Sequence, residues 1–281
     1  MQRIALMTDS SCDLDKQFLD AFDIRVLPLA VIYRERQYRD GVDIQPEEVY
    51  ARLSEEVPRT AMPSPGDAKE ILEGLAGQGY THILAIHISS GLSGTFEMVR
   101  TVSKEIQGLT VEVIDSKTLS MGLGFIVRKA ASWIREGVDF YELVERLRIL
   151  IPRVKGYFVL RSLEYLKRGG RIGLVSAAIG EILDLKPIIS INESGTYYPL
   201  AKVRGRTQSL ERLYQIAQEA LAKRRSVVAV LQGDASQEAM NLLERIKLLP
   251  NLAELMFRPI SPALVVHTGP GLVGLIIAPA E

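Results

Sequence analysis

Short apolar runs alternate with longer amphipathic segments along the first half of the chain. The runs at residues 3–8, 81–87 and 111–114 end in polar residues and are too short for helices, so they predict buried strands. The segment at 96–106 lies between two of these runs and carries apolar residues at helical spacing. Strands that alternate with helices predict parallel βαβ units, with helices on both faces of one sheet.

The pattern changes in the second half of the chain. Strand-like segments at 186–191 and 196–203 flank the sequence Asn192-Glu-Ser-Gly195, and this arrangement is typical of a hairpin. We therefore predict an α/β protein with two domains. Residues 1–154 form an α/β domain with a Rossmann-like parallel sheet, and residues 155–281 form an α+β domain.

Proline marks two further segments. Residues 24–33 are rich in β-formers, but Pro28 cannot donate to a β-ladder and therefore predicts an edge strand or a bulge. Residues 59–67 combine prolines with polar residues, so we expect a loop before the next helix.

Composition narrows the classes of function. The chain has 281 residues, enough for about two domains, and its 34 basic residues balance 34 acidic residues. A chain without net charge is poorly suited to bind nucleic acid or an anionic membrane surface. Its apolar stretches are shorter than the roughly 18 residues that suggest a membrane span, so we expect no stable membrane insertion.

Cysteine and histidine are scarce. Cys12 is the only cysteine, so we expect no intrachain disulfide, and we interpret it as a small half-buried residue of a cytoplasmic protein. The three histidines lack a metal-binding spacing, so we predict no metal site. His87 and His267 each stand beside a glycine-bearing loop and could reach a bound anion, whereas His82 starts its strand and is expected at the surface.

The segment Ser89-Ser-Gly-Leu-Ser-Gly-Thr95 is the most informative candidate for a binding site. It joins the carboxyl end of a predicted strand to the start of a predicted helix, where α/β proteins bind their ligands. Its hydroxyls and the helix amides can donate to a carboxylate or a phosphate. A capping turn without a ligand explains the same residues equally well. Asp9 lies at another strand end, where it could orient a hydroxyl or hold its own turn.

Basic residues cluster at 167–171 and 202–206, next to glycines. They form either a solvated face or a docking surface for an acidic or phosphate-bearing partner. The spacing alone leaves both interpretations open.

Seven motifs, taken in order over nearly the whole chain, resemble the DegV family. They are Met7–Ser11, Thr60 with Pro63, Ser89–Thr95, Leu166–Ile172, Leu185–Pro187, Lys202–Arg204 and His267–Gly271. The resemblance implies a two-domain α/β protein that binds one long-chain fatty acid between its domains, with no other cofactor. It also implies a role as the acyl-carrying subunit of a bacterial fatty acid kinase, whose separate kinase subunit phosphorylates the carboxylate to an acyl phosphate.

The resemblance assigns the head group to particular residues. Thr60 and Ser93 match residues that hydrogen-bond the fatty acid carboxylate, and His267 matches a histidine near it. The family loop usually reads Thr-Ser-Gln-Pro, whereas here Ala61 and Met62 follow Thr60. This departure removes a hydroxyl and an amide from the expected head-group network.

Further residues follow from the same resemblance. We expect Ser90, Gly94 and Thr95 to contribute to the head-group loop. Arg171 and Arg204 match basic positions associated with docking of the kinase subunit. No catalytic residue is predicted, because the chain itself would carry the substrate rather than transform it.

The sequence also contains apolar segments that could surround an acyl tail. Leucine- and isoleucine-rich segments at 121–134 and 175–185 could wall an apolar tunnel, although most of these positions suit an ordinary core equally well. We expect residues 155–281 to contribute part of the wall and the partner surface.

An enzyme is the alternative function. In this hypothesis the segment at 89–95 binds a small phosphorylated metabolite, and Asp9 is the catalytic carboxylate of a phosphotransferase or phosphatase. The sequence contains no Walker lysine and no protein-kinase signature, which disfavours this alternative.

Overall fold

The computed structural model describes residues 2–178 and 185–281, which form three β-sheets surrounded by helices. The strands are β1 (Ile4–Asp9), β2 (Arg25–Leu27), β3 (Ala30–Ile32), β4 (Gln37–Arg39), β5 (Arg59–Ala61), β6 (His82–His87), β7 (Thr110–Asp115), β8 (Lys155–Val159), β9 (Ile188–Ile191), β10 (Tyr197–Ala201), β11 (Ser226–Gly233), β12 (Leu252–Pro259) and β13 (Leu272–Pro279). The helices are α1 (Lys16–Ala21), α2 (Pro46–Arg52), α3 (Pro65–Gly77), α4 (Thr95–Ser103), α5 (Met121–Arg135), α6 (Phe140–Leu150), α7 (Glu164–Arg168), α8 (Arg206–Lys223), α9 (Ser236–Ile246) and α10 (Pro262–Thr268). Short 3-10 turns occupy Ser10–Cys12, Ile151–Arg153 and Gly173–Ala178.

The first sheet is parallel, in the order β2-β1-β6-β7. Alternate residues of its strands face opposite sides. Met7 and Ala85 pack with α3 and α4, whereas Leu6 and Leu84 lie in the apolar cluster that contains α5. Helices therefore cover both faces, which confirms the predicted Rossmann-like parallel sheet.

The second large sheet is mixed, in the order β10-β9-β8-β13-β11-β12. Strands β11 and β12 are parallel, and the other neighbours are antiparallel. The predicted hairpin joins β9 to β10, and its turn is closed by a hydrogen bond of 2.9 Å from the Gly195 amide to the Asn192 carbonyl. Helices α8 and α9 cover one face of this sheet. The α+β prediction for the second half is confirmed.

The third sheet, in the order β4-β3-β5, differs from the sequence-based expectation. The segment at 24–33 breaks at Pro28, so that β2 lies at the edge of the parallel sheet and β3 lies in this antiparallel one. Residues 59–61, expected in a loop, form β5 and place Thr60 opposite Val31 of β3. A strand of three residues is too short to show an alternation of apolar and polar positions. Its backbone hydrogen-bond partners also come from a distant segment, so the local sequence does not predict it.

One apolar cluster joins the two large sheets. It includes Ile86 from β6, Leu231 from β11 and Leu264 from α10, so the two halves of the chain pack against each other. Cys12, expected to be half-buried, lies in this cluster with 2% of its surface exposed, and burial raises the pKa of its thiol. The division into domains at residue 154 stays a prediction. Within residues 2–178 and 185–281, no helix is long and apolar enough to cross a membrane.

Candidate functional site

A cavity lies between the carboxyl end of the parallel sheet and the six-stranded sheet, with α10 in its wall. Most of the wall is apolar and comes from both halves of the chain, including Leu29, Ile88, Phe158, Leu231, Leu264 and Ile276. Its 23 described lining residues surround an empty volume of about 860 Å³, part of which is open to solvent.

Polar side chains interrupt this apolar wall. Thr60 of β5 and His267 of α10 meet with their Oγ1 and Nε2 atoms 2.7 Å apart. Ser93 lines the same cavity, as does Arg171. The structure therefore brings into one cavity the three residues predicted to hold a carboxylate, and their role as ligand-binding residues stays a prediction.

The protonation of His267 determines what Thr60 can do. Burial, together with the positive charge of Arg171, lowers the pKa of His267 to about 4, so the imidazole is neutral near pH 7. Its Nδ1 atom is buried without a hydrogen-bond partner within the described residues. A buried N–H group without an acceptor is rarer than a buried acceptor atom without a donor, so we place the lone pair of the neutral ring on Nδ1 and its proton on Nε2. Nε2 then donates to the hydroxyl oxygen of Thr60. The hydroxyl hydrogen of Thr60 is then free to donate into the cavity.

Gly169 allows His267 to reach this position, and a second glycine follows it. The ring atom Nδ1 lies only 2.0 Å from the point where a Cβ atom on residue 169 would stand, so Gly169 lets the ring pack against the backbone. Gly170 has a φ of 69°, a left-handed conformation that glycine adopts without strain. Helix α7 ends just before this pair, and the ring of His267 fills the space beside its end.

The two arginines expected at a docking surface have different surroundings. Arg171 lines the cavity, where its Nε donates to the Leu92 carbonyl at 3.2 Å and its Nη1 to the Gly169 carbonyl at 2.8 Å. Arg204 is exposed and forms a backbone bridge with Leu185. Arg171 is thus a wall residue, whereas Arg204 is open to a partner. Their docking roles stay predictions.

The serine-rich loop presents one of its hydroxyls to the cavity. Ser93 lines the wall, and its Oγ is 2.8 Å from Oγ1 of Thr95 at the start of α4. Ser90 accepts a hydrogen bond of 3.3 Å from the Lys117 ammonium group instead. Ser90, Gly94 and Thr95 lie outside the described lining and shape the loop around Ser93.

Asp9 and His87 form a buried pair at the carboxyl end of the parallel sheet. Neither side chain is exposed; His87 Nδ1 is 3.0 Å from Asp9 Oδ2, which also accepts from the Ile88 amide at 2.8 Å. The other oxygen of Asp9 accepts from both the amide and the hydroxyl of Ser11. Asp9 therefore holds its own turn and the neighbouring strand end. Of the two histidines expected near an anion, His267 lines the cavity and His87 does not.

The described walls differ from the segments expected to supply them. Helix α5 of the segment at 121–134 packs in the core, and the lining residues Leu119 and Ser120 come just before it. Residues 179–184 of the segment at 175–185 lie outside the described residues. Aromatic side chains of the six-stranded sheet complete the wall, namely Tyr157, Phe158 and Tyr197. Strand β10 lies within the strand predicted at 196–203, but the cavity that it lines together with β8 has no local signal in the sequence.

The fold and the cavity define a mixed α/β protein with an apolar chamber between two sheets and a polar pair in its wall. Residues 3–280 match the family described as "Uncharacterised protein, DegV family". The chain belongs to the DegV family, as its motifs predict. A DegV domain-containing protein of Clostridium perfringens is 45% identical over 277 residues, which cover 99% of each chain.

Solved structures share this fold over its whole length. A fatty acid binding DegV family protein from Streptococcus agalactiae has a TM-score of 0.93 and 30% identity, and the match covers 100% of both chains. A DegV family protein from Thermus thermophilus, described by its fatty acid binding, has a TM-score of 0.92 and 29% identity over 99% of this chain and 100% of its own. The α/β fold with a parallel first sheet and a mixed second sheet is therefore the fold of the family.

Proposed function

We propose that this protein binds one long-chain fatty acid in the cavity, with the carboxylate at Thr60, Ser93 and His267. The observation that carries the proposal is the hydrogen-bonded pair of Thr60 and His267 in the wall of a mostly apolar cavity. The relatives of the same fold from Streptococcus agalactiae and Thermus thermophilus are described as fatty acid binding. No metal or other cofactor is part of the proposal.

The polar part of the wall suits a carboxylate. A carboxylate in a closed site needs hydrogen-bond donors, and the hydroxyls of Thr60 and Ser93 can supply them. The guanidinium of Arg171 adds a positive charge to the same wall. Ala61 and Met62 line the cavity without donors, so the donors lost from the usual family loop are not replaced at these two positions.

The apolar part of the wall suits an unbranched tail. Burial contributes about 0.8 kcal/mol per CH₂ group, which gives on the order of 10 kcal/mol before costs for a long acyl chain. A ligand held this strongly should remain bound during purification.

Native mass spectrometry of freshly purified protein tests this proposal. We expect a mass that exceeds the chain by one long-chain acid, and release of that acid into organic solvent. Ser93→Ala should retain less acid than Ser54→Ala, a matched control because Ser54 is exposed and lies outside the cavity. An unliganded mass, together with no uptake when palmitate is offered, would rule out fatty acid binding.

We further propose that the protein presents the bound acid to a separate kinase subunit in the bacterial cytoplasm. An oxygen of the fatty acid carboxylate would attack the terminal phosphorus of a nucleoside triphosphate held by that subunit. The nucleoside diphosphate would leave as the acyl phosphate forms. Asp9, the carboxylate considered for catalysis, is buried and accepts hydrogen bonds through both oxygens. Because these hydrogen bonds occupy both oxygens of a buried side chain, Asp9 is poorly placed to act as a catalytic carboxylate. This supports the role of a substrate carrier over that of a phosphotransferase.

Trapping of the acyl phosphate tests the second proposal. Hydroxylamine should convert the product to a hydroxamate only when the loaded protein, ATP and a bacterial fatty acid kinase subunit are present together. Arg204→Ala should lower the rate, while Arg225→Ala, which removes another exposed arginine, should not. Turnover of ATP or of phosphate esters by the lone protein would favour the enzyme alternative instead.

A further inference from the structure

Two carboxylates from the first half of the chain reach the beginning of α10. Asp13 Oδ1 accepts a hydrogen bond of 3.0 Å from the backbone N–H of Ser261. Asp40 Oδ1 accepts one of 2.9 Å from the backbone N–H of Ala263. Both amides lie at the end of a helix that leaves its first N–H groups without internal acceptors. The residue before α10, Ser261, makes no capping bond with its own side chain, so these carboxylates take that place.

The second oxygen of each carboxylate is connected by hydrogen bonds to a lining residue outside α10. Asp13 Oδ2 accepts from the hydroxyl of Ser120, a lining residue. Asp40 Oδ2 accepts at 2.5 Å from the hydroxyl of Ser10, whose oxygen accepts in turn from the amide of the lining residue Leu29 at 3.0 Å. Each carboxylate therefore connects one wall of the cavity to the start of α10.

Helix α10 joins these hydrogen bonds at its start to the pair of His267 and Thr60. Ala263 and His267 are four residues apart, about one turn, and both line the cavity. Because the helix is short and its interior is hydrogen-bonded, a fixed beginning also fixes the ring of His267. The backbone of Ser120 has a φ of 54°, a conformation that favours glycine, which the hydrogen bond to Asp13 helps to hold.

We propose that Asp13 and Asp40 are positioning residues of the binding site, which hold α10 so that His267 meets Thr60. Neither carboxylate lines the cavity, so both act through α10 rather than by contact with the ligand. The inference rests on the proposed function for the identity of its ligand, while the placement of His267 can be measured without any ligand.

The test compares alanine and asparagine at both positions. Asp13→Ala and Asp40→Ala remove the acceptor, whereas Asp13→Asn and Asp40→Asn keep an acceptor oxygen of the same shape. Asp43→Ala is the matched control, since Asp43 pairs with Arg39 at the surface. The measurements are palmitate affinity and the pKa of His267 from NMR titration of its ring protons. The alanine variants should bind palmitate about tenfold more weakly, the effect of losing a hydrogen bond to a charged group, and the pKa of His267 should rise toward its ordinary value.

The conservative variants distinguish positioning from general stability. The asparagine variants should restore most of the palmitate affinity and the low pKa of His267. Folded alanine variants that match the control in both measurements would overturn the proposal, and so would asparagine variants that fail as badly as alanine. If the alanine variants do not fold, amide exchange in the unchanged protein decides: the amides of Ser261 and Ala263, which donate to Asp13 and Asp40, should be protected, and rapid exchange at both would overturn the proposal. If the unchanged protein takes up no palmitate, the proposed function fails, and the titration and exchange results still decide the positioning role.

Discussion

The hydroxyl of Ser89 donates a hydrogen bond to the carbonyl oxygen of Gly195, 2.8 Å away, and so ties the serine-rich loop to the hairpin of the six-stranded sheet. The same carbonyl oxygen lies 2.7 Å from where a Cβ atom on residue 91 would stand. Backbone thus meets backbone at this junction, and Gly91 leaves the room for it. The loop that presents Ser93 to the cavity is held in part from the other half of the chain.

Gly91→Ala should therefore weaken the junction. The added methyl group would overlap both the backbone of Gly195 and the side chain of Thr196, and we expect a loss of about 1–3 kcal/mol in the free energy of unfolding. Urea unfolding measures the change. Gly74→Ala is the control, because residue 74 lies in exposed α3 with no neighbour within 4 Å of an added Cβ. The control should gain about 0.5–1 kcal/mol from the higher helix propensity of alanine, and equal destabilisation of both variants would contradict the close-contact argument.

Gly169→Ala should displace His267. The new Cβ would overlap the imidazole, so the ring must leave Thr60, and palmitate affinity should fall about tenfold as this polar contact is lost. Gly77→Ala serves as the control, since an added Cβ there meets nothing within 4 Å. Isothermal titration calorimetry gives both affinities. A Gly169→Ala protein that binds as tightly as the control would show that the ring position does not matter for binding.

The titration of His267 should depend on Arg171. Removal of the nearby positive charge in Arg171→Ala should raise the pKa of His267 from about 4, whereas Arg204→Ala should leave it unchanged. Because the folded pKa lies below the ordinary value of 6.5, the neutral ring stabilises the fold above that value. This contribution is lost as the pH falls toward 4. NMR titration of the ring protons checks the shift, and an unchanged pKa in Arg171→Ala would remove Arg171 as a cause.

The stability of the protein should also respond to Asp40. Burial raises the pKa of this carboxyl from 3.8 to about 6, so the folded state retains a proton that the unfolded chain has already released. Between these two values the free energy of unfolding therefore falls as the pH rises. The side chain in Asp40→Asn cannot ionise. Across this pH range, the free energy of unfolding of the variant should therefore fall by on the order of 2 kcal/mol less than that of the unchanged protein. His267 acts in the opposite direction, so the difference between variant and unchanged protein in urea unfolding is the informative quantity. Parallel pH profiles would contradict a raised pKa.

Local patterns in the sequence were sufficient to predict much of the fold. The apolar runs that became β1, β6 and β7 each end in polar residues, and a run of this kind is typical of a buried parallel strand. The hairpin at residues 192–195 carries its turn signal in four consecutive positions. These features depend on residues close together in sequence, and for that reason the sequence predicts them.

The cavity depended on contacts that no local pattern contains. Thr60 meets His267 across 207 residues, and Asp40 reaches Ala263 across 223. The resemblance to the family named Thr60, Ser93 and His267, yet it associated Arg171 with a partner surface, whereas its side chain lines the cavity. The role of Asp40 had no signal in the sequence, because its effect arises only when α10 packs against the first half.

Under the proposed function, the shared lining of the cavity would link the lifetime of the protein to the fatty acid that it binds. Walls from both halves enclose the ligand only in the folded chain, so an occupied cavity stabilises the folded state by mass action. Emptied chains then open more often and expose the cleavage sites that cellular proteases require. If the protein binds a fatty acid as proposed, scarcity of fatty acid would shorten its survival, and abundance would prolong it.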